Sequence, residues 1–223
     1  MRPRRKPAAA RKPDRFPADN LAEGWDTQHL AGHTEFDEFR FVNCDFGGAD
    51  LSRLRFTDCL FERCNLSAAR LAGTALQNVA FAECKLLGLQ LTACRDMLFG
   101  VHFDHCQLRY ASFAGRNMPN TRFEHCNLDE ADFADADLSG AVFADCSLTG
   151  AVFQNTRLAQ ADFTTATGFI IDPETNSLLG ALHTGWPAGR GSQIRAGSGV
   201  NSPRRNRIPR TVANLSKSKS VTS

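Results

Sequence analysis

Residues 131–145 read Ala-Asp-Phe-Ala-Asp, Ala-Asp-Leu-Ser-Gly, Ala-Val-Phe-Ala-Asp, three five-residue units in succession, each with a small first residue and a large apolar third. The period extends in both directions. Counting outward by fives from Phe133, the centres run back through Leu128, Phe123, Met118, Phe113, Leu108 and Phe103 to Leu98, and forward through Leu138, Phe143, Leu148, Phe153 and Leu158 to Phe163. Two residues out of phase, a second series runs Phe36, Phe41, Phe46, Leu51, Phe56, Phe61, Leu66, Leu71, Leu76, Phe81, Leu86, Leu91. That makes 26 large apolar centres, which hold 13 of the chain's 17 phenylalanines. The residue two before each centre is usually alanine or cysteine.

A period of five suits neither a helix (3.6) nor a flat strand (2.0). A backbone that turns a square corner every five residues would place both the centre and the small residue inside. Four such sides make a coil of 20 residues, stacked at the inter-strand spacing of about 4.8 Å. One side of the stack then carries Phe41, Phe61, Phe81, Phe103, Phe123, Phe143 and Phe163, an unbroken phenylalanine column.

These units, such as Ala-Asp-Leu-Ser-Arg (49–53) and Ala-Val-Phe-Gln-Asn (151–155), resemble those of the pentapeptide-repeat family, roughly Ala-(Asp/Asn)-Leu-X-X. The resemblance implies an all-β fold, a single right-handed quadrilateral β-helix over residues 36–168, with a core built only from its own coils. Gly168-Phe-Ile-Ile-Asp-Pro-Glu-Thr-Asn176 resembles the family's closing segment, so 169–183 is expected to close the core. Many relatives then add an apolar segment that caps the core or makes a homodimer. Here the chain runs from about Thr184 into Gly, Ser, Pro and Arg, which leaves such a dimer little to rest on.

The net charge of +2 conceals an uneven distribution. Residues 1–16 hold seven Arg/Lys against Asp14, residues 175–223 hold eight and no acid, and residues 36–168 hold seventeen Asp/Glu against eleven Arg/Lys. An acidic body is flanked by basic segments. Residues 1–35 are expected to be a mostly disordered basic arm with a short cap, and 184–223 a disordered tail. No apolar run is long enough for a membrane span, and the basic N-terminus lacks the apolar stretch of a secretory signal. The expectation is a cytoplasmic protein.

Eight cysteines could suggest a disulfide scaffold, but all of them (Cys44, Cys59, Cys64, Cys84, Cys94, Cys106, Cys126, Cys146) fall in the small inward slot. Six lie one coil apart as a ladder, and buried free cysteine behaves as a small hydrophobe. In His105-Cys106 and His125-Cys126 the histidine points out while the cysteine points in, so the pairs cannot converge on a metal. No nucleophile–base, Walker or metal-helix motif is present, and a convex solenoid offers no water-excluded pocket. No enzyme activity, cofactor, metal or small-molecule substrate is therefore expected.

One feature rises above this background. Glu124, Asp129, Glu130, Asp132, Asp135, Asp137, Asp145 and Asp162 face a single base, Arg157, all in outward slots. Solubility explains such acids as readily as binding does. The resemblance implies a sharper reading: a DNA mimic that presents regular negative charge to the basic groove of DNA gyrase or topoisomerase IV and modulates quinolone or toxin sensitivity. The alternative is a scaffold for another protein partner. The break between Leu91 and Leu98 carries one more expectation. Asp96 and Met97 should bulge outward while Leu98 takes the centre, and Arg116, in a small-residue slot one coil later, should turn out to pair with Asp96.

Overall fold

The computed structural model describes residues 16–182 and the pair 194–195. Short parallel strands stack into a right-handed four-sided β-helix. The largest sheet contains Leu21–Glu23, Arg40–Val42, Leu60–Glu62, Val79–Ala82, Val101–Asp104, Arg122–Glu124 and Val142–Ala144. Its register places Phe41, Phe61, Phe81, Phe103, Phe123 and Phe143 opposite one another. A second sheet joins Glu35–Asp37, Arg55–Thr57 and Ala75–Gln77. The other two sides are tied by single-residue bridges such as Asp45–Asn65–Lys85–Gln107–Asn127–Ser147 and Gln90–Ser112–Asp132–Val152.

The five-residue unit explains each side. The centre and the small residue point inward, and the residue two after the centre turns the corner in the left-handed region, as at Asn43, Arg63, Glu83, His105, His125 and Asp145, all with φ of 51–54°. For residues other than glycine this conformation costs about 1–2 kcal/mol. A hydrogen bond to the next coil at each corner offsets it, as from Asn43 N–H to the Glu62 carbonyl at 3.0 Å. An Asp or Asn before the centre supports the turn from its other end. Its Oδ1 accepts the backbone N–H two residues on, from Asp45 to Gly47, Asp50 to Ser52, Asn65 to Ser67 and Asp132 to Ala134, at 3.0–3.1 Å. The recurring second letter of the unit is thus an Asx turn.

Inside, the column rings lie nearly parallel with centroids 4.6–5.3 Å apart. The coil spacing is the stacking distance of the rings. Phe113, Phe133 and Phe153 form a second column that meets the first edge-on, as between Phe103 and Phe113 at 5.9 Å and 81°. Of the 26 expected centres, all but Leu98 are buried.

The coil runs further at both ends than the period alone marks. Leu21–Glu23 adds a rung beneath Arg40–Val42, with Ala22 buried opposite Phe41. The end of the core is covered by Trp25, which meets Phe39 and Phe41, and by Leu30 on a short 3-10 turn, Thr27–Leu30, held by an Asp26–His29 capping box. At the other end the bridges Arg157–Ser177 and Asp162–Leu182 continue the stack. In the closing segment Phe169 and Ile171 are buried, and Asn176 turns its amide inward, donating to the Phe153 and Asp172 carbonyls and accepting from Thr156 N–H. Gly168 has φ of 78°, and a Cβ there would lie 2.9 Å from the Thr149 backbone nitrogen, so a side chain is excluded at this corner. Ile170–Ile171 pairs antiparallel with Ile194–Arg195, inside the segment read from sequence as a tail. The expectations for residues 1–15 and for the rest of the segment from 183 onward lie outside the described residues.

Candidate partner-binding surface

The eight acids named from the sequence are outward, as expected, but they do not share one face. Glu124, Asp145 and Asp162 lie on the side of the Phe41–Phe163 column. Asp129, Glu130, Asp132, Asp135 and Asp137 follow one another around a single coil and wrap three of its sides. The reason is the unit itself: outward slots recur on every side, so neighbours in sequence pass around the rod rather than along it. The acidic surface is a belt.

Their surroundings divide them further. Asp132, Asp137 and Asp162 accept N–H groups two residues on, from Ala134, Ser139 and Thr164 at 2.8–3.0 Å, so each serves a turn. Asp129 reaches the next coil, accepting from Thr149 N–H at 3.0 Å and the Ser147 hydroxyl at 2.5 Å. Glu124 is held by Arg122 Nε at 2.7 Å, and Asp137 lies 3.6 Å from Arg157. Glu130 and Asp135 occupy exposed corners with φ of 57°, and no basic side chain stands within ion-pair distance of either among the described residues. The most available charge is therefore at the corners.

All eight cysteines are free and buried. The ladder thiols donate to main-chain carbonyls, as Cys84 does to Phe61 and Ala82 and Cys106 to Phe81 and Asp104, at 3.3–3.4 Å. Burial pushes Cys59 up to about 11 and Cys94 up to about 12, the latter against the pull of the Arg116 cation. Reactive thiolate is thus suppressed at both. A thiol reagent at neutral pH should modify few of the eight cysteines in the native chain and all of them in denaturant. Fast stoichiometric labelling of Cys64, Cys84, Cys106 and Cys126 would contradict the inward placement.

The break in the period is built differently from the sequence expectation. Arg116 does pair with Asp96, at 2.7 Å. It does so from inside: Arg116 is 3% exposed, whereas Leu98 is 72% exposed. Leu98 has φ of 58°, the corner conformation of Asn78 one coil earlier, so the first phase continues through it. The two extra residues are Phe99 and Gly100, inserted before Val101 pairs with Val79. Asp96 stands where a centre belongs and its carboxylate turns out to solvent. The space is filled by half-buried Phe99 and by the Arg116 guanidinium, 4.0 Å from the Phe99 ring centroid. Arg116 also donates to the carbonyls of Cys94 and Arg95, each at 3.0 Å. An arginine is long enough to cap these otherwise open acceptors, which a large apolar centre is not.

Two shallow concavities lie among the described residues. A depression of about 180 Å³ lies over Ala80 and Ala82, rimmed by His102, Asp104, Arg122 and Glu124. Another borders Arg116, Asp135, Asp137 and Arg157. His105 and His125, read from sequence as pointing out, are brought together, with ring centroids 4.3 Å apart and Asp104 beside them. Among the described residues no helix is long and apolar enough to cross a membrane.

Comparison with known proteins agrees with this architecture. The family model described as "Pentapeptide repeat region" matches residues 34–113, and "Pentapeptide repeats (8 copies)" matches 106–145 and 126–164. The chain belongs to the pentapeptide-repeat family. No curated protein matches the sequence. Full-length QnrB1, a plasmid-mediated fluoroquinolone resistance protein, is similar in structure with a TM-score of 0.52 and 18% identity, over 74% of this chain and 92% of that one. HetL, a pentapeptide repeat protein involved in heterocyst differentiation regulation from Nostoc sp. strain PCC 7120, aligns with a TM-score of 0.25 and 18% identity, over 70% of this chain and 89% of that one. At such identity the first likeness is one of fold.

Proposed function

We propose that the chain acts without catalysis, as a DNA mimic whose acidic belt docks on a basic groove of a protein partner. The observation that carries this reading is the run of five acids, Asp129, Glu130, Asp132, Asp135 and Asp137, wrapped around one coil. Their positions are set by the backbone ladder, so the charge is preorganised rather than carried on mobile chain. A surface evolved for phosphates gains most of its affinity from such charge. DNA gyrase or topoisomerase IV is the partner this family suggests, with altered quinolone or toxin sensitivity as the consequence. QnrB1, similar in fold, is a plasmid-mediated fluoroquinolone resistance protein, and an effect on quinolone sensitivity is proposed here.

A second reading, a scaffold for a partner other than a topoisomerase, draws on Met97, Leu98 and Tyr110. These are 76%, 72% and 57% exposed, and DNA presents no comparable apolar projections. Gyrase supercoiling titrated with the full chain, with and without a fluoroquinolone, separates the two. Inhibition or drug protection supports mimicry, and no effect at near-physiological salt removes the topoisomerase. The triple variant Asp129→Asn, Glu130→Gln, Asp132→Asn should weaken partner binding about tenfold or more, at ~0.5–1 kcal/mol per exposed ion contact, and flatten its salt dependence. Folding should survive, because an asparagine in place of Asp132 keeps a side-chain oxygen that accepts the Ala134 N–H. Unchanged affinity for a confirmed partner would reduce the acids to solubilising charge.

A further inference from the structure

His105 and His125 occupy equivalent corners of successive coils, and the backbone holds both there. Their N–H groups donate to the carbonyls of Glu124 and Ala144, each at 2.8 Å, and their φ angles are 52° and 53°. With the main chain set by the ladder, the imidazoles stack at 4.3 Å and 15°. Asp104 projects to the same place: its Oδ1 lies 2.7 Å from His105 Nδ1 and 3.5 Å from His125 Nδ1. One donor atom from each of the three residues falls within a 4.8 Å span.

A cation bound at about 2.0–2.2 Å from each donor needs ligand–ligand separations of roughly 3–3.5 Å. The two Nδ1–Oδ1 distances already bracket that range, and the side chains are half exposed, free to adjust by a few tenths of an ångström. A further carboxylate supports the arrangement from behind. Asp145, one coil on, places Oδ2 3.7 Å from His125 Nε2, the nitrogen turned away from Asp104. That contact is longer than a hydrogen bond, so Asp145 acts on the site through its negative charge. Cys106 and Cys126, next in sequence, point into the core and are at most 2% exposed, so they take no part.

The geometry points to a divalent transition-metal site on the flank of the rod, made by the two imidazoles and the Asp104 carboxylate. Two nitrogens and one oxygen suit zinc-class ions better than magnesium or calcium, which prefer all-oxygen sites. The Asp104 and Asp145 carboxylates give the site a local negative charge that suits a divalent cation. Exposure leaves open positions for water or for a partner's side chain. Because the ligands come from two successive coils, only the folded rod brings them together, and binding should raise the melting temperature by mass action.

The test uses the full chain, reduced and stripped of metal. Titration calorimetry with Zn²⁺ should show one equivalent bound. Co²⁺ should give weak visible bands without the intense near-ultraviolet absorption of thiolate ligation. His105→Gln and His125→Gln should each lower Zn²⁺ affinity by at least about tenfold, Asp145→Asn by less than either, and His33→Gln not at all. All four positions are outside the core, and unchanged circular dichroism confirms that the variants fold. Absence of stoichiometric Zn²⁺ binding, equal affinity in the His105 and His125 variants and the native chain, or a thiolate band with Co²⁺ overturns the assignment.

Discussion

Replacing Phe103 by alanine is expected to destabilise the rod by about 3–5 kcal/mol, the range for removing a fully buried aromatic ring. Phe103 is 1% exposed, stacked between Phe81 at 5.3 Å and Phe123 at 5.2 Å, and meets Phe113 edge-on. It also sits immediately after the two-residue insertion. The step from Phe81 to Phe103 is 22 residues rather than 20, yet their rings stack as the other pairs of the column do. The insertion is absorbed outside the column, and Phe103 is the ring that carries the stack across it. In a solenoid each coil is stabilised by its neighbours alone. The loss should therefore appear in denaturant unfolding as a weakened or divided transition, with the two halves separating at this coil. Phe103→Leu, which keeps most of the volume, should cost less than about 1.5 kcal/mol. A loss below about 1 kcal/mol in the alanine variant would mean that the column does not hold the coils together.

Arg116→Ala should cost about 2–5 kcal/mol, through the cavity it opens and the acceptors it abandons. The guanidinium packs on Phe99, donates to the carbonyls of Cys94 and Arg95, and reaches Asp96. Its partner matters much less. Asp96 is 89% exposed on its side chain, so solvent screens the pair, and Asp96→Asn should cost under about 1 kcal/mol. Arg116→Met should recover only the cavity part of the alanine loss, because an apolar chain refills the space but leaves the Cys94 and Arg95 carbonyls without a donor. A local readout accompanies the global one. Cys94, whose carbonyl Arg116 holds, should become reactive to a thiol reagent in Arg116→Ala while the cysteines of distant coils stay protected. Equal costs for Arg116→Ala and Asp96→Asn would show that the ion pair, rather than the packing, closes the break.

The difference between what sequence and structure each reveal follows from the range of the forces involved. The five-residue period, the phenylalanine column and the inward cysteines were all legible in the sequence. Each is decided inside one unit, and the backbone ladder then copies it to the next coil. The end rung at Leu21–Glu23 was not legible, because its 19-residue step to Arg40–Val42 follows no period and Ala22 alone fills the inward slot. The break was half legible. An acid at a centre and an arginine in a small slot announced a compensation, but Leu98 reads as a centre by type and becomes a corner by conformation.

The four-sided coil, its core and the outward direction of the eight acids and of His105 and His125 follow from the five-residue unit alone. The stacked coils settle the rest: the acids form a belt rather than a face, Arg116 enters the core, and His105, His125 and Asp104 converge. Those outcomes depend on which side of which coil a residue reaches, on how an insertion shifts the stack, and on side chains that meet across about 4.8 Å of coil spacing. Contacts between residues 20 or more positions apart have no local signature, since it is the stacking of coils that creates them.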